Sequence, residues 1–122
     1  MIGFKGCLMI RLCWLASLKY QDKYIVHATD DVHESPAEIC ELVYSALKQS
    51  LESENTIYFT DRQIEIIKKL IRKMKEYNYN EIFAGKNAYD FVYNNKTWAD
   101  LRKTAEEIIE ICGFKIEDFA YE

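Results

Sequence analysis

The chain has 122 residues, of which 49% are aliphatic, aromatic or sulfur-bearing and 30% charged; so much apolar surface excludes a disordered chain, a collagen-like repeat and a low-complexity linker. One domain over residues 1–122 is expected, because two halves would each be too small for a good core. The net charge of −4 argues against a uniformly basic nucleic-acid binder, since phosphate contacts need a cationic footprint.

Cys7 to Leu18 is a 12-residue run with one charge, Arg11. It is too short for a bilayer, which needs about 20 apolar residues. Arg11 interrupts the apolar stretch that a signal peptide requires, and Lys19-Tyr20-Gln21-Asp22 offers no small-x-small cleavage site. The run is therefore read as structural, with no membrane association and a cytoplasmic location. Leu8, Ile10, Leu12, Trp14, Ala16 and Leu18 alternate with Met9, Arg11, Cys13, Leu15, Ser17 and Lys19, as in a strand with one face packed on helices. A β-hairpin follows from this reading, turning at Tyr20–Lys23 and returning over Tyr24–Ala28. A helix over 7–19 is the rival, because Leu and Ala are good helix formers.

Downstream the signals are helical. Only four Gly and one Pro occur, so loops should be few and short. Ser35-Pro36-Ala37-Glu38 reads as a capped helix start: a hydroxyl for an orphan N–H, a first-turn Pro with no N–H to lose, and Glu at the third position. Ile39, Cys40, Val43, Leu47 and Leu51 make its apolar stripe. Thr60-Asp61-Arg62-Gln63 is a second capping box. Its helix is expected over 61–77, with Ile64, Ile67, Leu70, Ile71, Met74 and Tyr77 as the stripe. Residues 80–94 read as a helix broken at Gly85, with Asn87 and Asp90 capping a restart. Thr97-Trp98-Ala99-Asp100 opens a last helix that stops at Gly113, with Phe114 folding back; residues 114–122 form a short strand or a docked tail. The fold expected is α-rich α+β, an N-terminal β-hairpin or strand packed on about four helices; an all-α bundle is the alternative.

Charge is segregated along the chain. Residues 1–28 carry net +3, 29–59 net −6, 60–76 net +3 and 77–122 net −4. The 61–77 helix supplies the best candidate binding face: Arg62, Lys68, Lys69, Arg72, Lys73 and Lys75, relieved by Asp61, Glu65 and Glu76. It suits an acidic protein or a nucleic acid. Asp30, Asp31, Glu34, Glu38, Glu41, Glu52 and Glu54 form an acidic counterpart. Tyr77, Tyr79, Tyr89 and Tyr93, set among Asn residues, have the composition of an interface, aromatic anchors beside adaptable polar groups.

Reactive constellations are scarce. His27-Ala28-Thr29-Asp30-Asp31-Val32-His33-Glu34 holds both histidines, and His27, Asp30, Asp31 and His33 are weak candidate ligands for Zn, Mn or Mg in a metal-dependent hydrolase. Their spacing matches no metal motif. Cys7, Cys13, Cys40 and Cys112 contain no C-x-x-C pair and read as reduced thiols, mostly in the core. Cys40 should face inward with Ile39 and Val43, which is wrong for a nucleophile. The glycines, at 3, 6, 85 and 113, are isolated and build no phosphate cradle. No cofactor is expected. The function expected is that of a small acidic non-catalytic binding protein, an inhibitor or immunity-type factor encoded by a phage or mobile element, acting on another protein or a ribonucleoprotein. A nucleic-acid-binding module using the 61–77 face and the 27–34 hydrolase are the alternatives; a homodimer is compatible with each.

Overall fold

The computed structural model describes residues 3–29, 35–77 and 87–119, and among them there is no strand. The α+β expectation is thereby corrected to a helical bundle. The 7–19 run is α1 (Phe4–Ala16), followed by α2 (Leu18–Gln21) and a π-helical turn (Asp22–Val26) where the returning strand was expected. The reason lies in the run itself. It is apolar on nearly every side, so its alternation fits a helix as well as a strand, and a helix apolar all round belongs in the interior. Leu8, Met9, Leu12, Cys13, Leu15 and Ala16 are buried, spaced as on a helix. The supposed strand face is split, with Ile10 and Trp14 half-buried and Leu18 exposed.

Four longer helices close a ring. α1 packs on α3 (Pro36–Ser50) and on α6 (Lys96–Ile111), and α4 (Asp61–Glu76) packs on the same two. Their inward stripes merge into one hydrophobic core. The short α5 (Ala88–Asn94) leans on the π-helical turn and on α6. Among the described residues no helix is long and apolar enough to cross a membrane.

The caps follow the sequence closely. Ser35 Oγ accepts from the Glu38 N–H, with Pro36 in the first turn. Thr60 and Gln63 make a complete capping box, Gln63 N–H to Thr60 Oγ1 at 3.2 Å and Thr60 N–H to Gln63 Oε1 at 2.9 Å. The spare amide hydrogens of Gln63 go elsewhere: Nε2 donates to the Ile111 carbonyl, 3.0 Å away at the end of α6. Asn87 caps the restart by accepting from Tyr89 and Asp90; the expected break at Gly85 lies outside the described residues. The last helix starts two residues early, capped by Asn95, whose side chain accepts from Trp98 N–H at 2.8 Å. It stops at Gly113 in the left-handed region, φ +86°, which only glycine enters without strain. Phe114 N–H returns to the Ile109 carbonyl at 3.1 Å. Beyond it, residues 116–119 form a 3₁₀ turn docked on α1, so this part of the segment is a docked tail and not a strand; residues 120–122 lie outside the described residues.

Two arginine side chains bridge helices by donating to backbone carbonyls. Arg11, the lone charge of the N-terminal run, donates to the Leu42 carbonyl of α3 at 3.0 Å. Arg102 donates to the Val92 carbonyl at 3.2 Å, one of the carbonyls that α5 cannot satisfy internally.

All four cysteines are free thiols, with Cys7 exposed and Cys13, Cys40 and Cys112 buried. Burial, reinforced by Glu41, pushes the Cys40 thiol up to about 12. Burial, with Glu117 and Asp118, pushes Cys13 up to about 11. The nucleophile is the thiolate, so these two are inert near neutral pH. Ellman's reagent near pH 8 is expected to titrate Cys7 rapidly and the other three only after denaturant is added. Rapid reaction of all four in the native protein would contradict this packing.

Candidate functional site

The outward face of α4 carries the densest charge of the described residues. Gln63, Ile66, Ile67, Leu70, Ile71 and Met74 are buried, so the core arc is rotated slightly from the expected stripe, taking in Gln63 and Ile66 and leaving Ile64 half-buried. The opposite arc exposes Arg62, Lys68, Lys69, Arg72 and Lys75. Arg62, Lys68, Lys69 and Arg72 border an open groove of about 440 Å³ between α4 and α6, with Glu65, Ile66 and, from α6, Glu107. Four cations thus face two carboxylates, in a chain whose total is −4. None of these cations, nor Lys75, makes a hydrogen bond or close ion pair with another described residue. Glu65, placed to pair with Lys68 or Lys69 one turn on, does not close that pair.

Lys73 is different. At about 100° per residue it falls at the edge of the face, toward α6. Its Nζ donates to Asp100 Oδ1 at 2.8 Å and to Thr104 Oγ1 at 3.0 Å. The Tyr77 hydroxyl donates to the other carboxylate oxygen, Oδ2, at 3.0 Å. This group is a seam between α4 and α6, and it removes Lys73 from the cationic face and Tyr77 from the aromatic interface in which composition placed it. The Lys73 hydrogen bond holds the Asp100 carboxyl below its ordinary value, outweighing the desolvation that raises it, with Tyr77 and Lys69 helping. A carboxylate depressed by folding adds stability above its ordinary range, and that stability fades as pH falls through the lowered value. Asp100 is 40% exposed, so screening keeps the contribution small.

The remaining expected residues are scattered. Tyr89 and Tyr93 are exposed on α5 with ring centroids 4.7 Å apart. The Tyr93 hydroxyl donates to Asp22 Oδ1 at 2.8 Å, which raises its phenol. Glu38 and Glu41 are exposed on α3, and Glu52 and Glu54 on the segment after it. Tyr79, Asp30, Asp31, His33 and Glu34 lie outside the described residues. His27 is exposed, its Nε2 3.6 Å from Asp22 Oδ2, and among the described residues no three metal-ligating side chains are grouped.

Sequence reasoning missed Glu107 and Asp100, which reach the site only through the packing of α6 on α4; no local pattern marks either. No family model, curated protein or solved structure matches the chain.

Proposed function

We propose that the protein is a small non-catalytic binding protein that works in the cytoplasm by occupying the surface of another macromolecule. The class it fits is an inhibitor or immunity-type factor of a phage or mobile element. The observation that supports this reading is the α4 face: Arg62, Lys68, Lys69 and Arg72 are exposed beside an open groove and have no close partner among the described residues. Long cations left unpaired in an anionic chain cost little in water and bind an anionic surface on contact. The rest of the molecule, net negative, repels that same partner and orients its approach.

The test is a low-salt capture from the source lysate with wild type, the reversal Arg62→Glu/Lys69→Glu/Arg72→Glu, and a control of equal charge change, Lys19→Glu/Lys48→Glu/Lys96→Glu, at three other exposed positions. Wild type and control are expected to retain the same stoichiometric partner, and the reversal to lose it at least about tenfold, since truncating or reversing docking charges removes about 1.4 kcal/mol or more. No partner for the wild type, or equal retention by the reversal, would sink the reading.

A further inference from the structure

We infer that the surface received by α4 is the phosphate backbone of a nucleic acid, bound without base recognition. The inference rests on the reading above and names its partner.

The first argument is composition. Protein–protein interfaces are centred on buried aromatic anchors, and their cores are depleted of lysine. The α4 face has the arginines of such an interface but none of its aromatic anchors, and lysines stand where an apolar centre would be. It presents Arg62, Lys68, Lys69, Arg72 and Lys75, no aromatic ring, and one apolar side chain, Ile66, that is only 7% exposed. Among the described residues the exposed tyrosines stand on other elements, Tyr58 after α3 and Tyr89 and Tyr93 on α5. A face with reach and charge but little apolar area gains almost nothing from a folded protein surface and much from displacing counterions.

The second argument is spacing. From Arg62 to Arg72 is about 15 Å along a straight helix at 1.5 Å per residue. One nucleic-acid strand places a charge every 3.4 Å or so along the duplex axis, so this length faces about four phosphates. Lys68 and Lys69 are flexible point charges, and Arg62 and Arg72 are forks that take a phosphate bidentately, all spread along the length of a repeating anion.

The third argument concerns specificity. Reading bases takes amides or planar forks aimed into a groove, or rings on which bases stack. The groove beside α4 offers neither amide nor ring among its lining residues, and its two forks, Arg62 and Arg72, stand ten residues apart at the two ends of the row, where phosphates repeat. Glu65 and Glu107, which border it, repel phosphate, so affinity is modest and only about three contacts are made at once.

Anisotropy of fluorescein-labelled duplex DNA and duplex RNA, each about 20 base pairs long and in two unrelated sequences, tests this with the whole protein. About three phosphates at a slope of about 0.9 each predict affinity falling about 40-fold between roughly 50 and 200 mM salt, equally for both sequences. The reversal at positions 62, 69 and 72 should abolish binding and the control should keep it. Should the reversal lose its helical circular dichroism, Arg62→Gln/Lys69→Gln/Arg72→Gln is used instead and should flatten the salt slope toward zero. No binding at the lower salt, or binding unchanged by either variant, would overturn the inference. Nuclease treatment of the captured lysate partner separates the two proposals. Release on nuclease supports the inference. A partner that survives nuclease yet depends on Arg62, Lys69 and Arg72 overturns the inference and leaves the docking function standing. A partner independent of those residues overturns both.

Discussion

Trp98→Ala is expected to lower the unfolding free energy by about 3–5 kcal/mol, the range for removing a large aromatic from a packed core. Trp98 is wholly buried in the first turn of α6. Its ring lies against Phe91 of α5, centroids 4.6 Å apart at 41°, and its Nε1–H donates to Gln21 Oε1 at 2.9 Å. Alanine forfeits the transfer energy, opens a cavity that the four-helix ring cannot close, loses an aromatic pair worth about 0.5–1.5 kcal/mol, and strands a buried amide oxygen. Against a total stability of about 5–15 kcal/mol for a domain of this kind, that is a large share. Urea unfolding followed by circular dichroism measures it, as a lowered midpoint with unchanged slope. A loss under about 1 kcal/mol would mean that the site relaxes and that the ring does not fix α5 against α6 through Phe91.

Gln21→Leu is expected to cost about 3 kcal/mol, although it exchanges a polar for an apolar core side chain of similar size. Gln21 is completely buried. Its Nε2 donates to the Leu15 carbonyl at 2.7 Å and the Trp14 carbonyl at 3.2 Å, and its Oε1 accepts from Trp98. Those carbonyls belong to the last turn of α1, which has no intrahelical donors for them. The break follows from Ser17, which is extended, ends α1 and starts α2 by accepting from Tyr20 N–H. Leucine would leave the Leu15 carbonyl and the indole N–H buried without partners, and the half-buried Trp14 carbonyl without its donor. Because the amide and the indole share a bond, Gln21→Leu and Trp98→Phe are expected to be non-additive in a double-mutant cycle. Strict additivity, or a neutral Gln21→Leu, would show that the amide is not the closing cap of α1.

Legibility tracks how local each determinant is. The capping roles of Ser35, Thr60 with Gln63, Asn87 and Gly113 each act within four residues, and spacing alone places each of them. The α1 run failed because near-uniform hydrophobicity carries no phase, so alternation in it was a coincidence of composition. What decides for the helix is long-range burial against α3 and α6, together with a glutamine that closes its end. The start of α6 failed by two residues because Asn95 and Thr97 are both competent caps, and the choice rests on carrying Trp98 inward. At the candidate site, Arg62, Lys68, Lys69 and Arg72 were legible as a polar arc. Lys73 was misassigned because its partner Asp100 is 27 residues away, and Glu107 enters only through helix packing.

The Gln63 amide bridges a sequence separation of 48 residues, serving the beginning of one rod and the end of another. At this end both walls of the cationic groove are therefore latched by one side chain, as the Lys73–Asp100 seam latches them at the other. Fraying of the α4 start would release the end of α6 with it, so at this end the two walls should open or hold together instead of breathing one by one.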